Sequence, residues 1–590
     1  MVPLHSRKPT RMQALAVLLF VVLLAVPDPL TAAEAPRLEV EITGIEDPLK
    51  STIRNALSLE REQGHPLLTR YRIQALHQRT PEEIRNTLEP FGYYQAEIES
   101  SLEQRNGAWY ARYHVTRGPP VTIGLLDLEV RGPGGSTEVF QRWRQTFPLQ
   151  PGDRLQHGSY ERAKDDLLAI ARQYGYFEAR LSESQVRVEL PENRADITLH
   201  MNTGPRYRFG AIHFSETPLR ESLLERFTRF QSGEPFHAGA LLELQRALSD
   251  SDYFDRVDVI PLVEEAEEQR IPIDVRLEMQ NRTRYAFGIG YGTDTGPRTT
   301  IGIDRRWQNS RGHKAGGRII ASEIRTELNF NYRIPLTPPT TDSLDFTADY
   351  TEETTDTSSR ETALIGGAIT RMKRGWQQTL SLNYQEETFD VGIGDERANM
   401  LVPGIGWQRV VVDDRLVPQH GWRLAAGLKG ASESVLSSTN LAQATIRGNY
   451  ITTTLGGRLI TRLEAGASET SNFDRLPVSL RFFAGGDSSV RGYGYQTLGP
   501  ENSEGDVIGG KHLLVGSVEY DYFWSDNWGA ALFVDQGNAF NSTSGFELSQ
   551  GAGVGVRYKL PFGLIRVDVA SAVSESGNPW RLHINIGPEL

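Results

Sequence analysis

Residues 285–291 read Tyr-Ala-Phe-Gly-Ile-Gly-Tyr, a segment in which bulky apolar side chains alternate with small ones. Residues 344–350 repeat the alternation as Leu-Asp-Phe-Thr-Ala-Asp-Tyr, and residues 582–586 as Leu-His-Ile-Asn-Ile. Because successive side chains of a β-strand point to opposite faces, each segment is predicted to be a strand with one apolar face. Such segments of about ten residues are typical of a transmembrane β-barrel, with apolar side chains toward lipid and polar ones toward the lumen.

About sixteen such segments fit into residues 283–590, with about 19 residues for each strand and its connection, enough for transmembrane strands of about 9–11 residues. Short turns, such as residues 309–312 and 525–527, alternate with longer loops, as in outer-membrane barrels. A soluble β-sandwich or propeller would not explain the polar and glycyl inward positions. Tryptophans near segment ends fit a membrane-interface girdle: Trp307, Trp376, Trp422, Trp524 and Trp580.

Composition separates this half from the first, because residues 1–282 hold 16 of the 56 glycines and residues 283–590 hold 40. The first half repeats itself. Gly92-Tyr93-Tyr94 returns as Gly175-Tyr176-Phe177 and, more weakly, as Asp252-Tyr253-Phe254. A repeat near 80 residues is too long for a solenoid unit and suits a small domain used three times. We predict three β-α-α-β-β modules, at residues 37–118, 119–204 and 205–280.

Helix signals support these modules. Residues 80–83, Thr-Pro-Glu-Glu, read as a capping box with Pro at the first helical position, which predicts a helix that begins there. Apolar residues recur at helical spacing in the second and third modules: Ala163, Leu167, Ile170 and Tyr174, then Leu241, Leu244 and Leu248.

Residues 1–33 are predicted to be a secretory signal peptide. Arg7, Lys8 and Arg11 precede an apolar stretch at residues 12–26, and Ala33 offers a cleavage site. A retained amino-terminal anchor is the alternative. The protein is thus expected to leave the cytoplasm.

Composition also limits the chemistry. The chain has no cysteine, 63 basic and 75 acidic residues, and no basic patch, so disulfides and a nucleic-acid partner are not expected. Its 12 histidines lack paired metal-ligand spacing. Residues 505–512 resemble a phosphate-binding loop but carry His512 where Ser or Thr is needed. We therefore predict no metal, no cofactor, no catalytic residue and no enzymatic activity.

The longest predicted connection, residues 467–510, contains Phe-Phe-Ala-Gly-Gly-Asp-Ser-Ser-Val-Arg-Gly-Tyr at residues 482–493. A loop this long is normally disordered or functional. If Arg491 folds into the lumen, it needs carboxylates, because an unpaired buried charge is very costly. Alternation around Val518 and Val534 directs Glu519 and Asp535 inward, so these acids are its predicted partners.

The same stretch resembles the sixth-loop signature of the BamA-type outer-membrane insertase superfamily, which includes two-partner secretion transporters. Residues 532–540, Leu-Phe-Val-Asp-Gln-Gly-Asn-Ala-Phe, look like its strand-thirteen motif. Three modules before sixteen strands are similar to the TamA-type members, outer-membrane subunits of the translocation and assembly module, whose modules are periplasmic POTRA domains. The resemblance implies a loop lock: Gly485, Gly486, Arg491, Gly492, Tyr493, Glu519, Asp535 and Gly537.

The resemblance further implies a protein in the outer membrane of a Gram-negative cell that assembles autotransporters and other barrel proteins. Its expected partners are unfolded outer-membrane protein substrates, outer-membrane lipid, and a TamB-like protein anchored in the inner membrane, which docks on the first module. A two-partner-type secretion pore or a lipid-conducting channel is the alternative.

Glycines in the first barrel strand predict a weak seam against the last strand, since Gly weakens a strand. Such a seam could open sideways and accept a substrate strand by β-augmentation. The competing interpretation is that these glycines relieve crowding inside the barrel. The predicted seam residues are Gly288, Gly290 and Gly292 of the first strand with Ile584 and Gly587 of the last.

Overall fold

The computed structural model describes residues 37–587 apart from Pro66, Ile393, Gly545 and Phe562. The signal peptide predicted at residues 1–33 lies outside the described residues. No helix within the described range is both long and apolar enough to span a membrane.

The first module is a three-stranded mixed sheet covered by helices. Its strand order is β1-β3-β2, with β1 parallel to β3 and β2 antiparallel to it. Its buried core includes Ile42, Ile53, Ile84 and Tyr113. The elements are β1 (Leu38–Thr43), α1 (Leu49–Ala56), the short α2 (Ser58–Arg61), α3 (Arg70–Leu88), β2 (Glu97–Arg105) and β3 (Ala108–Thr116).

The helix predicted to begin at Thr80-Pro81 is wrong, because α3 runs through this point. It begins after Thr69, whose hydroxyl caps it by accepting a hydrogen bond from the Arg72 amide. Pro81 lies inside the helix, and the Thr80 hydroxyl donates to the Leu76 carbonyl one turn back. Thr80 and Leu88 are buried, so packing keeps the helix continuous where local sequence favours a start.

The second module repeats the plan with strand order β4-β6-β5, β4 being parallel to β6. Ala163 and Leu167 of the predicted apolar face are buried, while Ile170 and Tyr174 are half-buried and Tyr160 and Ala171 take the remaining core positions. The elements are β4 (Thr122–Arg131), α4 (Glu138–Gln145), α5 (His157–Gln173), β5 (Arg180–Glu189) and β6 (Arg194–Asn202).

The third module has strand order β7-β9-β8. Its longer helix buries Leu241, Leu244 and Leu248, the three residues expected from the sequence. The elements are β7 (Arg208–Phe214), α6 (Glu221–Leu224), α7 (Ala238–Ser249), β8 (Phe254–Pro261) and β9 (Arg270–Met279).

Sixteen antiparallel strands then close into a barrel, from β10 to β25 in sequence order. The predicted fold class, three α/β modules followed by a 16-stranded barrel, is confirmed. The strands are β10 (Thr283–Gly292), β11 (Gly296–Arg305), β12 (Lys314–Ala321), β13 (Arg325–Pro335), β14 (Ser343–Thr354), β15 (Ser359–Lys373), β16 (Trp376–Asp390), β17 (Glu396–Val412), β18 (Gly421–Ala431), β19 (Leu441–Thr454), β20 (Gly457–Thr470), β21 (His512–Phe523), β22 (Trp528–Phe540), β23 (Ser549–Leu560), β24 (Gly563–Ala572) and β25 (Trp580–Gly587).

Alternation along these strands exposes apolar side chains on the outer wall, among them Phe346, Ile365 and Leu382. Charged side chains between them are buried inside the barrel, such as Glu519 and Asp535. Tryptophans mark strand ends: Trp376 begins β16 and Trp580 begins β25. An apolar outside and a polar inside are what a barrel in lipid requires.

Candidate functional site

The connection from β20 to β21, residues 471–511, packs against the inner wall of the barrel. Three isolated bridges give it internal structure: Phe482 with Gly510, Ala484 with Leu498, and Glu501 with Val507. Its apolar residues join wall residues in one buried cluster: Ala484, Val490, Tyr493 and Leu498 with Leu513, Val515, Ala539 and Ala572. The connection predicted at residues 467–510 is therefore a folded part of the barrel interior.

Arg491 is the centre of this contact, with its side chain only 3% exposed. Its Nε and Nη2 donate to the two Asp535 oxygens at 2.7 and 2.9 Å, and Nη1 donates to Glu519 at 2.7 Å. The structure thus brings the predicted arginine and both predicted acids together. It adds two groups that the sequence reasoning missed: Asp568 accepts from Nη1 at 3.0 Å, and the guanidinium carbon lies 3.3 Å from the Phe533 ring centroid.

The arginine belongs to a larger buried ion cluster. Arg557, fully buried on β23, contacts Glu519 at 2.7 Å, Asp568 at 2.5 Å and Asp521 at 3.4 Å. The sequence held a signal for it, because Val554 and Val556 face outward and so direct Arg557 inward. Four carboxylates and four guanidinium groups make the formal charge zero: Glu519, Asp521, Asp535 and Asp568 with Arg458, Arg462, Arg491 and Arg557.

Glycines let the loop backbone approach the wall. Gly492 has φ of 98°, and a Cβ there would lie 2.8 Å from the Ser571 carbonyl carbon. A Cβ on Gly551 of β23 would lie 1.9 Å from the Arg491 carbonyl oxygen. The sequence reasoning named Gly492 but missed Gly551, since nothing local distinguishes it from other strand glycines.

The remaining predicted loop residues also have defined places. Gly485 would meet the Gly494 carbonyl oxygen at 2.4 Å if it carried a Cβ, and Gly486 would meet Asp294 at 2.5 Å. Tyr493 donates its hydroxyl to the Gln550 carbonyl at 3.2 Å. Gly537 lies on β22, where a Cβ would meet the Leu514 carbonyl oxygen at 2.7 Å.

The seam between β10 and β25 differs from the other strand pairings. Within the described residues, one pair joins the two strands, Gly292 opposite Asn585. By contrast β10 pairs with β11 along its whole length, from Thr283 to Gly292. Ile584 adds two contacts just beyond β10: its carbonyl accepts from the Thr293 amide at 3.2 Å, and its amide donates to the Thr293 hydroxyl at 2.6 Å.

This register corrects one detail of the predicted seam. Ile584 was predicted to lie against Gly288, Gly290 and Gly292, but it lies beside Thr293 instead. Gly587 pairs with Leu564 on the other side of β25. Ile289 is 95% exposed, which leaves the β10 edge at this point without a covering neighbour among the described residues.

Crowding does not explain the first two seam glycines. A Cβ on Gly288 would lie 3.5 Å from its nearest neighbour, Thr300 Cβ, and one on Gly290 would lie 3.6 Å from Arg298. These are ordinary contacts, so an alanine fits at both positions. Gly292 is tighter, at 3.1 Å from the Thr295 hydroxyl.

The loop also reaches the seam itself. The Asp487 amide donates to Asp294, in the turn between β10 and β11, at 2.6 Å. The Asp487 carboxylate pairs with His583 Nδ1 of β25, and His583 Nε2 accepts from the Gly492 amide at 2.9 Å. Both ring nitrogens are therefore occupied by protein hydrogen bonds. One loop thus joins the first hairpin and the last strand.

At the opposite end of β10, the third module holds the turn between β11 and β12. Tyr253 donates its hydroxyl to the Gly312 carbonyl at 2.5 Å, and the Arg220 amide donates to the Ser310 carbonyl at 2.8 Å. Burial raises the pKa of Tyr253, so the phenol stays protonated and remains a donor. The first hairpins are therefore anchored to this module.

Comparison with known proteins agrees with this architecture. The Omp85 superfamily domain matches residues 309–589, the POTRA domain TamA domain 1 matches residues 39–117, and the surface antigen variable number repeat, a POTRA model, matches residues 207–279. The outer membrane protein assembly factor BamA of Nitratidesulfovibrio vulgaris is 24% identical over 421 residues, covering 67% of this chain and 52% of the relative. The chain therefore spans about half the length of that curated relative.

A solved structure shows the same fold. The crystal structure of BamA from Haemophilus ducreyi lacking POTRA domains 1–3 aligns with a TM-score of 0.67 at 16% identity, covering 79% of this chain and 99% of that chain. With the family matches, this places the barrel in the outer membrane and the amino-terminal modules in the periplasm. Together these matches support a TamA/BamA-type member of the Omp85 superfamily.

Proposed function

We propose that the protein assembles other β-barrel proteins, autotransporters among them, into the outer membrane by pairing an incoming strand with the edge of β10. The observation that carries this proposal is the seam, where one described residue pair joins β10 to β25. Every other neighbouring pair of barrel strands is joined by a ladder of several residues.

An incompletely paired edge suits this activity for a physical reason. Unpaired backbone N–H and C=O groups in lipid cost several kcal/mol each, so an open edge favours any strand that satisfies them. An extended substrate segment can supply these bonds by β-augmentation. On β10 the outward side chains Tyr285, Phe287 and Ile289 are exposed to the membrane and available to pack against such a strand.

The filled lumen supports the lateral route over a route through the pore. The loop at residues 471–511 occupies part of the interior, and Arg491 anchors it by direct ion pairs to three strands, β21, β22 and β24. A secreted chain or a lipid conducted through the lumen would have to pass this loop and the ion cluster. The secretion pore and the lipid-conducting channel are therefore the outcomes that the experiment below must separate from lateral assembly.

Assembly of this kind needs no covalent step. Pairing, packing and release are binding events, so we propose that the protein acts without enzymatic turnover and without a cofactor.

We also infer a TamB-like partner, anchored in the inner membrane, that docks on the first module. Support comes from the match of residues 39–117 to the first POTRA domain of TamA. The sheet of this module has β1 and β2 as its edges, and β2 exposes most of its side chains. Loss of copurification on deletion of residues 37–118, with the barrel still heat-modifiable, is the expected result.

A seam disulfide tests the proposal. The register that pairs Gly292 with Asn585 places Tyr291 and Ile586 next along the seam, both facing outward. A chain carrying Tyr291→Cys and Ile586→Cys, in a protein with no other cysteine, should assemble substrate barrels when reduced and stop when oxidised.

The matched control is Leu328→Cys with Tyr350→Cys, two outward residues paired within the continuous β13–β14 ladder. Its oxidation should leave assembly unchanged. If the oxidised seam pair still assembles substrates at the reduced rate, lateral assembly is wrong and a route through the lumen becomes the better account.

A further inference from the structure

The junction of loop, first hairpin and last strand is a cluster of hydrogen-bonded acids beside one histidine. Asp294 Oδ2 accepts from the Asp487 amide at 2.6 Å, and Asp487 Oδ1 pairs with His583 Nδ1. Each residue comes from a different element: the β10–β11 turn, the long loop and β25. These contacts tie together both sides of the seam.

The hydrogen bonds define the state of the histidine. Because the Gly492 amide donates to Nε2 at 2.9 Å, Nε2 acts as the acceptor and the ring proton lies on Nδ1, where it points at Asp487. Its hydrogen bond orients the Asp487 carboxylate toward β25, while the Asp487 amide reaches Asp294.

Asp294 is the less well satisfied of the two acids. Its Oδ1 is buried and accepts no hydrogen bond among the described residues. The groups that face it are Asp487 from the loop, His583 and Arg581 from β25, and Tyr495 from the loop. Burial, followed by the nearby Asp487 carboxylate, raises the pKa of Asp294 from 3.8 to about 6.

We propose that Asp294 is a proton-operated latch on the lateral seam. With a neutral Asp294 carboxyl group, the first hairpin stays joined to the loop and, through Asp487 and His583, to β25. With an ionised Asp294, two carboxylates repel each other in a half-buried site, and the seam is released.

The direction of the pH response follows from linkage. The carboxyl group binds its proton more tightly in the latched state than in an opened, solvated one, so latching is strongest at low pH and weakens as pH rises through about 6. With pKa values of 3.8 and about 6 for the two states, the ratio of open to closed seam should rise roughly tenfold between pH 5 and pH 7.5.

Pulsed EPR across the seam measures this ratio. Ile301 of β11 and Val569 of β24 face outward on the strands that flank the seam. Spin labels at Ile301→Cys and Val569→Cys, in nanodiscs, should show a short-distance population at pH 5 and a longer one that grows about tenfold relative to it by pH 7.5. The midpoint of the change should lie near pH 6.

Asp294→Asn replaces the carboxyl group with a neutral group of the same shape. In the spin-labelled protein, Asp294→Asn should give the short-distance population typical of pH 5 at both pH 5 and pH 7.5. The matched control is Glu323→Gln, which removes an exposed carboxylate beside the same turn and should keep the full pH response.

The latch is overturned if the distances do not change between pH 5 and 7.5, if Asp294→Asn responds to pH as the unsubstituted protein does, or if Glu323→Gln abolishes the response. This failure can be separated from failure of the proposed function. A seam that opens equally at every pH removes only the latch, whereas a seam with no open population at any pH also removes lateral assembly.

Discussion

At the scale of single residues, the loop is held by charge balance. Arg491 supplies one of four positive charges that face four carboxylates in a water-poor interior. A buried ion pair contributes little net stability, but loss of one partner leaves an uncompensated charge and is strongly destabilising. Arg491 is therefore the residue whose loss should free the loop.

Arg491→Ala should destabilise the barrel by about 3–5 kcal/mol and make the loop accessible to protease. Thermal unfolding in detergent and limited proteolysis measure the two effects. Arg475→Ala, at an exposed arginine of the same loop, is the control and should leave both unchanged. Equal behaviour of the two variants would contradict the proposed role of Arg491.

A smaller change tests the approach of the loop backbone to the wall. Gly551→Ala adds a methyl group that would lie 1.9 Å from the Arg491 carbonyl oxygen, so the loop must shift and the Arg491 contacts must weaken. Gly516→Ala, on β21, adds the same methyl group where no atom lies within 4 Å. We expect a lower melting temperature for the first variant only. A melting temperature unchanged by Gly551→Ala would show that the loop is not seated as described.

The sequence predicts part of this cluster and misses part for a definite reason. Alternation determines which side chains face inward, so Glu519 and Asp535 could be assigned to the lumen. It does not determine which inward residues on strands far apart in sequence meet. The contacts of Asp568 and Arg557 with the other charged groups could therefore be assigned only from the register of β23 and β24.

At the scale of elements, β10 is the strand on which lateral assembly depends. Its inward positions carry Gly288, Gly290 and Gly292, and its outward positions carry exposed apolar side chains. The edge of β10 that faces β25 has one described residue pair. A Cβ fits at both Gly288 and Gly290, so steric crowding does not require glycine at either position. We therefore expect these glycines to make the first strand flexible.

Gly288→Ala with Gly290→Ala should stiffen β10. Each glycine in a strand costs about 0.5–1 kcal/mol relative to alanine, and both methyl groups fit. We expect a higher melting temperature together with slower assembly of substrate barrels, both measured in proteoliposomes.

Gly406→Ala on β17 is the matched control, because its Cβ also fits, with one neighbour at 3.7 Å, far from the seam. It should raise the melting temperature without slowing assembly. Faster or unchanged assembly in the double variant would contradict a need for flexibility in β10.

The start of α3 and the register of the seam both differ from what the local sequence predicts. The Thr-Pro-Glu-Glu pattern at residues 80–83 has every local feature of a helix start, yet α3 passes through it. Burial of Ile73 and Ile84 on one helix stabilises the continuous form. The seam register likewise depends on how far the strands slide past each other, which alternation does not determine.

At the scale of the whole molecule, the third module contacts one end of the barrel, and the seam between β10 and β25 has one described residue pair. Tyr253 and Arg220 anchor the turn after β11, while the loop joins the opposite end of the first hairpin to β25. The first hairpin is thus held at both ends, but its free edge has one described backbone pair. Its fold and membrane location follow from the sequence pattern, whereas the route of the substrate does not.

Site-specific photocross-linking during assembly tests that route most directly. A benzoylphenylalanine at Phe287, on the seam edge, should capture the incoming substrate barrel. The same probe at Phe346, an outward phenylalanine of β14 away from the seam, should capture lipid but no substrate. Lateral assembly predicts substrate adducts at Phe287 alone. Adducts at a probe replacing Asn449, inside the barrel on β19, with none at Phe287, would contradict it.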